Sequence, residues 1–321
     1  MLMRVLVTGA TGFVGREVCR QLGAAGHGIR ILARDPERAV GGPSKPGKGP
    51  SPPFSPGEIR GGNLLDPASL AGVADGCDAV IHLVGIISEI GEQTFENVHT
   101  RATRNVLAEA RRAGVRRWIQ MSALGTRPAA VSRYHQTKWA AEEAVRASGL
   151  EWTILRPSLI YGPEDHFVNL FARMARWSPV LPVMGSGNNL LQPVAVENVA
   201  RAFVAALTEP RSVGQTLDVC GAERLTFLAV LDAILAALGR RRFKLRIPWP
   251  VARVQAALLE RLFPLVLRQA PPLNRDQLLM LQEDNVGDGT RADEWFGLRH
   301  ASFAADIRRY VGRPEVVGRG D

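Results

Sequence analysis

The chain has 321 residues, 46 % hydrophobic and 22 % charged, a composition that reads as soluble and globular with enough apolar side chain for a sizeable core. Its formal charge of +9 favours anionic partners such as phosphorylated ligands or an acidic membrane surface. Thirty-six of its 40 basic residues are arginine and none builds a block interleaved with aromatics, which argues against a nucleic-acid partner. Nowhere does an apolar run of about twenty residues occur, so no bilayer-spanning helix is expected. Cys19, Cys77 and Cys220 are odd in number and widely spaced, which fits a reduced, cytoplasmic protein in which each is a small core residue. The first strand begins within five residues of Met1, and no secretory signal is expected before it.

In chain order, Met3 to Val7 is a β-branched run, and from Phe13 the residues Val14, Val18 and Leu22 recur at helical spacing until Gly26. Strands follow at Ile29–Ala33 and near Ile59, a helix from about Ala68, a strand at Ala79–Leu83, a helix over Phe95–Ala113 and a strand at Trp118–Met121. A helix over Tyr134–Ser148 and a strand at Trp152–Arg156 complete the pattern. Such alternation specifies an α/β, Rossmann-like, doubly wound parallel sheet with right-handed crossovers. Between the second and third strands, residues 41–57 are dense in Gly, Pro and Ser and read as a disordered surface insertion. Beyond Tyr161 the pattern loosens, with helices near Phe167–Trp177, Glu197–Thr208 and Phe227–Leu238 and a strand at Thr216–Val219, as in a smaller substrate-facing lobe. The expected division is a nucleotide-binding domain over 1–240, interleaved with lobe segments from about 160, and a C-terminal lobe over 241–321.

The turn TGATGFVG sets Gly9, Gly12 and Gly15 between strand and helix. Bare amides at a helix start and the helix dipole favour a diphosphate there. The spacing departs from the common G-x-G-x-x-G dinucleotide fingerprint, but the strand-to-helix context is the required one. Arg34 follows the second strand, where a cation suits the 2′-phosphate of NADP(H), and the adjacent Asp35 leaves NAD(H) open. In SRYHQTKWAAEE, Tyr134 and Lys138 lie four apart and share one helix face, in a chain with only three tyrosines and four lysines. A phenol ordinarily near 10 needs about 4 kcal/mol of phenolate stabilisation to titrate near 7. Helped by a nearby ammonium and an oxidised nicotinamide, Tyr134 would move the proton of a substrate hydroxyl or carbonyl while hydride passes to or from the nicotinamide. His82 reads as core, and His135 and His166 lack partners spaced as metal ligands, so no metal is assigned.

TGATGFVG, the Tyr134/Lys138 pair, ENVHTRATRNVL and WTILRPSLIYGP together resemble the extended and atypical short-chain dehydrogenase/reductase superfamily over about residues 3 to 240. Within it, SRYHQTKWAAEEAVRASGLEWTILRPSLIYGP and LLQPVAVENVA look most like the nucleotide-binding accessory subunit family of respiratory complex I and its bacterial relatives. The resemblance implies an NADPH-binding fold in which Gly9, Thr11, Gly12, Phe13, Val14 and Gly15 contact the diphosphate side and Arg34 the 2′-phosphate. It further implies that Asn63 and Leu64 border the adenine, that Leu83, Val84 and Gly85 line the nicotinamide ribose, and that Pro157 and Ser158 reach the carboxamide. Tyr134 and Lys138 are cofactor contacts as well as catalytic candidates, and Asn97 orders the helix behind them. Active relatives also carry a Ser or Thr near the end of the fifth strand; Ser122 is available here, but the working position usually falls one or two later, on Ala123 or Leu124. Losing that donor would cost about 3 kcal/mol, or 10² to 10³ in rate.

The resemblance leaves two classes open: an oxidoreductase or epimerase on a small substrate, or a subunit of a quinone-linked membrane complex that holds NADPH without turnover. A redox sensor is a third. In WPVARVQAALLERLFPLVLRQAPP, Arg253, Glu260, Arg261 and Arg268 fall within about a 100° arc and leave a broad Val, Leu and Phe face, with Pro264 expected to kink the helix. That face either packs on the protein's own core or lies at a membrane interface, which would place the protein peripherally on the inner face of a membrane.

Overall fold

A computed structural model of the protein describes residues 2–39, 57–267, 271 and 273–312. The insertion expected over 41–57 lies outside the described residues except for Gly57. In chain order the principal elements are β1 (Arg4–Thr8), α1 (Phe13–Ala24), β2 (Gly28–Ala33), β3 (Glu58–Gly61), β4 (Ala79–His82), α2 (Ala102–Arg112), β5 (Arg117–Met121), α3 (Arg133–Arg146) and β6 (Glu151–Pro157). They continue as α4 (Phe167–Trp177), β7 (Val180–Met184), α5 (Val196–Ala206), β8 (Gln215–Val219), α6 (Phe227–Ala237), β9 (Phe243–Ile247), α7 (Trp249–Leu267) and α8 (Arg275–Met280).

Seven strands form one parallel sheet in the order β8-β6-β5-β4-β1-β2-β3. Its strands are apolar on both faces, as a sheet covered on both sides requires. Val5, Val7, Ile31, Ile81, Ile119 and Leu155 pack one face against Val14, Val18 and Leu22 of α1 and Val199 and Phe203 of α5. The alternate residues Leu6, Leu32, Val80, Trp118 and Ile154 meet Val106, Leu107 and Ala110 of α2 and Val145 of α3. The strand order reverses between β1 and β4, which opens a crevice outside the carboxyl ends of those strands.

A second core joins α4, β7 and α6 through Val168, Ala172, Leu181, Val183, Val230 and Ile234. Phe303, Ile307 and Val311 close this core, while Ala292, Phe296 and Leu298 enter the first one, so residues 292–311 tie both together. Two expectations change. The helix expected from Ala68 is a single 3-10 turn, Pro67–Leu70, because Gly72 and Gly76 adopt φ +78 and +68 and stop it. The helix expected over Phe95–Ala113 opens as a π-helical segment, Glu96–Arg101, before α2 begins. The pairing of β7 with β9 has no counterpart in the sequence pattern, because its partners lie about sixty residues apart and form a two-stranded ribbon. Helix α7 continues past Pro264 to Leu267.

Candidate active site

The turn after β1 is shaped by two glycines. Gly9 has φ +77, and a Cβ on Gly15 would stand 2.1 Å from the Gly9 carbonyl oxygen, so α1 packs on the turn as closely as backbone allows. We expect Gly15→Ala to yield no stably folded protein, by a loss of about 4 kcal/mol or more, read as soluble yield and thermal midpoint. Gly12 caps α1 with its own amide bonded to Gly9 O at 3.1 Å, and neither a side-chain cap nor an acidic residue serves the first turn. Those amides face a space bordered by exposed Thr11 and Gly12, with Phe13 half-covered against Gly162. Arg16 pairs with Glu164, yet its buried Nε has no partner among the described residues. Uncapped amides, a positive helix end and an orphaned guanidinium N–H fit an anionic diphosphate.

The remaining cofactor candidates stand at or just after the carboxyl ends of β2, β3, β4 and β6. Arg34 is exposed directly after β2. Exposed Asn63 folds its carboxamide onto the Leu65 amide, and Leu64 packs partly into the second sheet face, its carbonyl accepting from Asn105. Leu83 follows β4, its amide bonded to Thr8 O, and Leu83 and Val84 lie within 3.3 Å of where a Gly9 Cβ would be. Gly85 is pressed against Lys138, whose Nζ would stand 2.9 Å from a Cβ there. Pro157 ends β6, its carbonyl accepting from Leu124, and the Ser158 hydroxyl donates to the Gln192 carbonyl.

Ser132 caps α3 by accepting from the His135 amide, and the helix carries Tyr134 and Lys138 one turn apart. Lys138 is 3 % exposed, with Nζ 3.3 Å from Met121 O at the end of β5. Burial pulls its ammonium down to about 8, with Glu142 acting in the opposite sense. The Tyr134 ring sits edge-on to His99, Phe95 and His135, with centroids 5.1, 5.9 and 5.2 Å away. Burial, reinforced by the Asp276 carboxylate, pushes the phenol up to about 12. In the protein alone, without the oxidised nicotinamide on which the expected lowering depends, Tyr134 is a phenol near neutrality, a proton donor.

Ser122 follows β5, 3 % exposed, and its hydroxyl donates to Thr126 at 3.4 Å. Positions 123 and 124 carry no hydroxyl, and Leu124 is buried. His82 is fully buried between the Thr8 and Thr103 hydroxyls, and burial drops it to about 3. His135 is buried against Ser132, whereas His166 is exposed. Asn97 anchors the π-helical segment through Thr94 and Glu92. All three cysteines are free and buried.

Several residues that position the site escaped the sequence reading. Asp276 of α8 accepts from the Arg133 and Tyr134 amides at 2.7 and 2.9 Å, so a segment 142 residues away caps the helix that holds the tyrosine. Asn274 donates to Ile87 O and Ser88 Oγ, binding the same segment to the loop after β4. His99 bridges Thr137 and the Ile86 backbone behind Tyr134. Fully buried Glu142 receives two bonds from Arg156 and one from Arg146, which pins α3 to β6. Only an arginine within the mostly apolar strand run WTILRP could have signalled this pair. Beside Tyr134 a cavity of about 590 Å³ is lined by Phe95, Val131, Pro271, Leu278 and Leu279 and by the charged Glu89, Arg133, Arg253, Glu260, Arg275 and Asp276.

The chain is 30 % identical over 288 residues, 87 % of its length and 70 % of the relative's, to NADH dehydrogenase [ubiquinone] 1 alpha subcomplex subunit 9, mitochondrial, of Arabidopsis thaliana. It is 32 % identical over 260 residues, 80 % of its length and 77 % of the relative's, to ceramide reductase of Caulobacter vibrioides. Its fold matches dTDP-glucose 4,6-dehydratase of Streptomyces venezuelae, solved with NAD bound, at a TM-score of 0.70 over 96 % of each chain and 22 % identity. The sequence profile of one family spans residues 5–220, from β1 through the end of the parallel sheet, and so the chain belongs to the NAD dependent epimerase/dehydratase family.

Proposed function

We propose that the protein is an NADP(H)-dependent reductase of a carbonyl on a hydrophobic small molecule, worked by Tyr134 and Lys138. The observation that carries the reading is their placement, a neutral phenol one helical turn from a buried ammonium, with Phe95 and Arg133 beside the tyrosine lining a cavity of mixed apolar and charged walls. The turn at Gly9, Gly12 and Gly15 with Thr11, Phe13 and Val14 would hold the diphosphate, and Leu83, Val84, Gly85, Pro157 and Ser158 the nicotinamide half. Asn63 and Leu64 would border the adenine. Bound there, a reduced nicotinamide supplies a hydride. Tyr134 Oη donates its proton to the substrate oxygen as negative charge develops on it, and the Lys138 ammonium stabilises the phenolate left behind. The substrate class is supported chiefly by the relative named for ceramide, with Phe95, Val131, Leu278 and Leu279 giving the cavity an apolar part among charged neighbours.

Exposed Arg34 supports the 2′-phosphate preference. We expect Arg34→Ala to weaken NADPH binding by about tenfold to a hundredfold, the value of one charge-assisted contact, and to leave NADH binding within about twofold. Titration of reduced-nicotinamide fluorescence with both coenzymes checks this.

A second reading has its own support. The likeness to a complex I subunit and the missing hydroxyl at positions 123 and 124 suit a protein that holds NADPH inside a quinone-linked membrane assembly without turning it over. The test is to bind NADPH and add long-chain ketones and 3-oxo acids while following loss of reduced-nicotinamide absorbance. Substrate-dependent oxidation carries the reductase reading. Tight binding that no carbonyl compound discharges, with recovery of respiratory subunits on pull-down, carries the other.

A further inference from the structure

Helix α7 hides its small residues and shows its large ones. Ala252 and Ala256 are fully buried against Leu278 of α8, whereas Val251, Val254, Leu258 and Leu262 are 55–63 % exposed. At 100° per residue those four fall within about an 80° arc, one continuous stripe pointing away from the protein. The strand leading into the helix repeats the pattern, with Phe243 67 % and Leu245 49 % exposed on alternate positions of β9. Phe243 bonds through its amide to Pro179, two residues beyond Trp177, which is 89 % exposed at the end of α4. A folded chain does not leave this much aliphatic and indole surface in water without an occupant.

Charge says which occupant. Residues 240–268 contain eight cations, Arg240, Arg241, Arg242, Lys244, Arg246, Arg253, Arg261 and Arg268, against one carboxylate, Glu260. This stretch of 29 residues thus carries +7 of the chain's +9. Lys244 is paired with Asp232 and Glu260 with Arg275, and the surplus survives both pairings. A second copy of the chain would bring two such stretches together, like charge on like. An anionic bilayer meets both properties, because aliphatic side chains and an exposed tryptophan enter the headgroup boundary while arginines meet phosphate.

We infer that β9 and the exposed face of α7, with Trp177, form a docking surface for anionic lipid, and that the protein works seated on such a membrane without spanning it. Among the described residues no helix is long and apolar enough to cross a bilayer. The proposal is independent of turnover, since Trp177, β9 and the exposed stripe of α7 lie outside the cavity beside Tyr134, which takes only Arg253 and Glu260 of the charges counted above.

The test is flotation of the full chain with phosphatidylcholine vesicles, with and without a third of phosphatidylglycerol, beside light scattering for oligomeric state. The wild type is expected to float with the anionic vesicles, to release at high salt, and to stay behind with pure phosphatidylcholine. Arg241→Gln with Arg246→Gln should lower the partition coefficient ~30-fold, at roughly fivefold per cation near an anionic surface. Val254→Asp with Leu258→Asp should abolish flotation, with circular dichroism and thermal midpoint unchanged because both side chains already face water. The proposal is overturned if the wild type does not float with anionic vesicles, or if the aspartate variant floats as well as the wild type. A dimer that the aspartate variant dissociates, without vesicle binding, would assign the face to a second copy.

Discussion

Tyr134→Phe is expected to lower carbonyl reduction by about 10² to 10⁴-fold in kcat while leaving the NADPH dissociation constant within about twofold. The substitution removes one oxygen and keeps the ring, whose edge-on contacts with His99, Phe95 and His135 hold it in place. Thermal stability should therefore stay close to that of the wild type, which separates loss of a proton donor from loss of structure. Because burial and Asp276 hold the phenol up at about 12, Tyr134 keeps its proton across the whole accessible pH range in the protein alone. Asp276 bears on the same atom, since it caps the Arg133 and Tyr134 amides and also opposes the phenolate. Asp276→Asn should retain part of the cap and ease the phenol toward its ordinary value, so its effect on kcat should be smaller than that of Tyr134→Phe. Single-turnover kinetics with cofactor binding measured alongside decide the matter. Undiminished turnover by Tyr134→Phe would remove the tyrosine from the chemistry.

The parallel sheet was legible because each of its features is local: strands apolar on both faces, amphipathic helices between them, and glycines at the first turn. The Tyr134/Lys138 pair was legible for the same reason, since four residues on one helix fix their common face. What the sequence concealed depends on contacts between distant segments. Asp276 acts on Tyr134 across 142 residues, and nothing in RDQLLM marks it as the cap of another helix. The π-helical segment that carries His99 is likewise set by its packing on α3, through Thr137 and Thr100, not by its composition. Helix α7 shows what amphipathicity alone leaves open. Its broad Val, Leu and Phe face allowed core burial or a membrane interface, and the structure buries the alanines and leaves Val251, Val254, Leu258 and Leu262 exposed, because small side chains let α7 and α8 approach closely. The direction of the Tyr134 shift was not legible either, because it follows from burial depth and a remote carboxylate.

Lys138→Met is expected to stabilise the protein at pH 7 while removing its reductase activity. Lys138 is 3 % exposed, and its ammonium falls from an ordinary 10.5 to about 8 because burial penalises the charged form. A difference of this size corresponds to about 3 kcal/mol of stability withheld at neutral pH, at about 1.4 kcal/mol per unit. Methionine is unbranched, fills a comparable space and carries no charge to desolvate. The sign with pH follows from proton binding. Between about 8 and 10.5 the unfolded chain holds a proton on Lys138 that the folded chain has released, so the wild type gains stability as pH rises through this window. The advantage of Lys138→Met should accordingly be full below pH 8 and shrink toward zero by the ordinary lysine value, which urea denaturation of both proteins at several pH values would show. Activity runs the other way. If the ammonium is what stabilises the phenolate, kcat/KM for reduction by the wild type should fall as pH rises through about 8, when the charge is lost. On the proposed reading, a destabilising buried charge at the end of β5, where Gly85 makes room for it, is kept for chemistry at a cost in stability. Equal stability of the two proteins at pH 7 would show that Lys138 is not penalised by its burial, and a flat pH profile through 8 that its charge is not used.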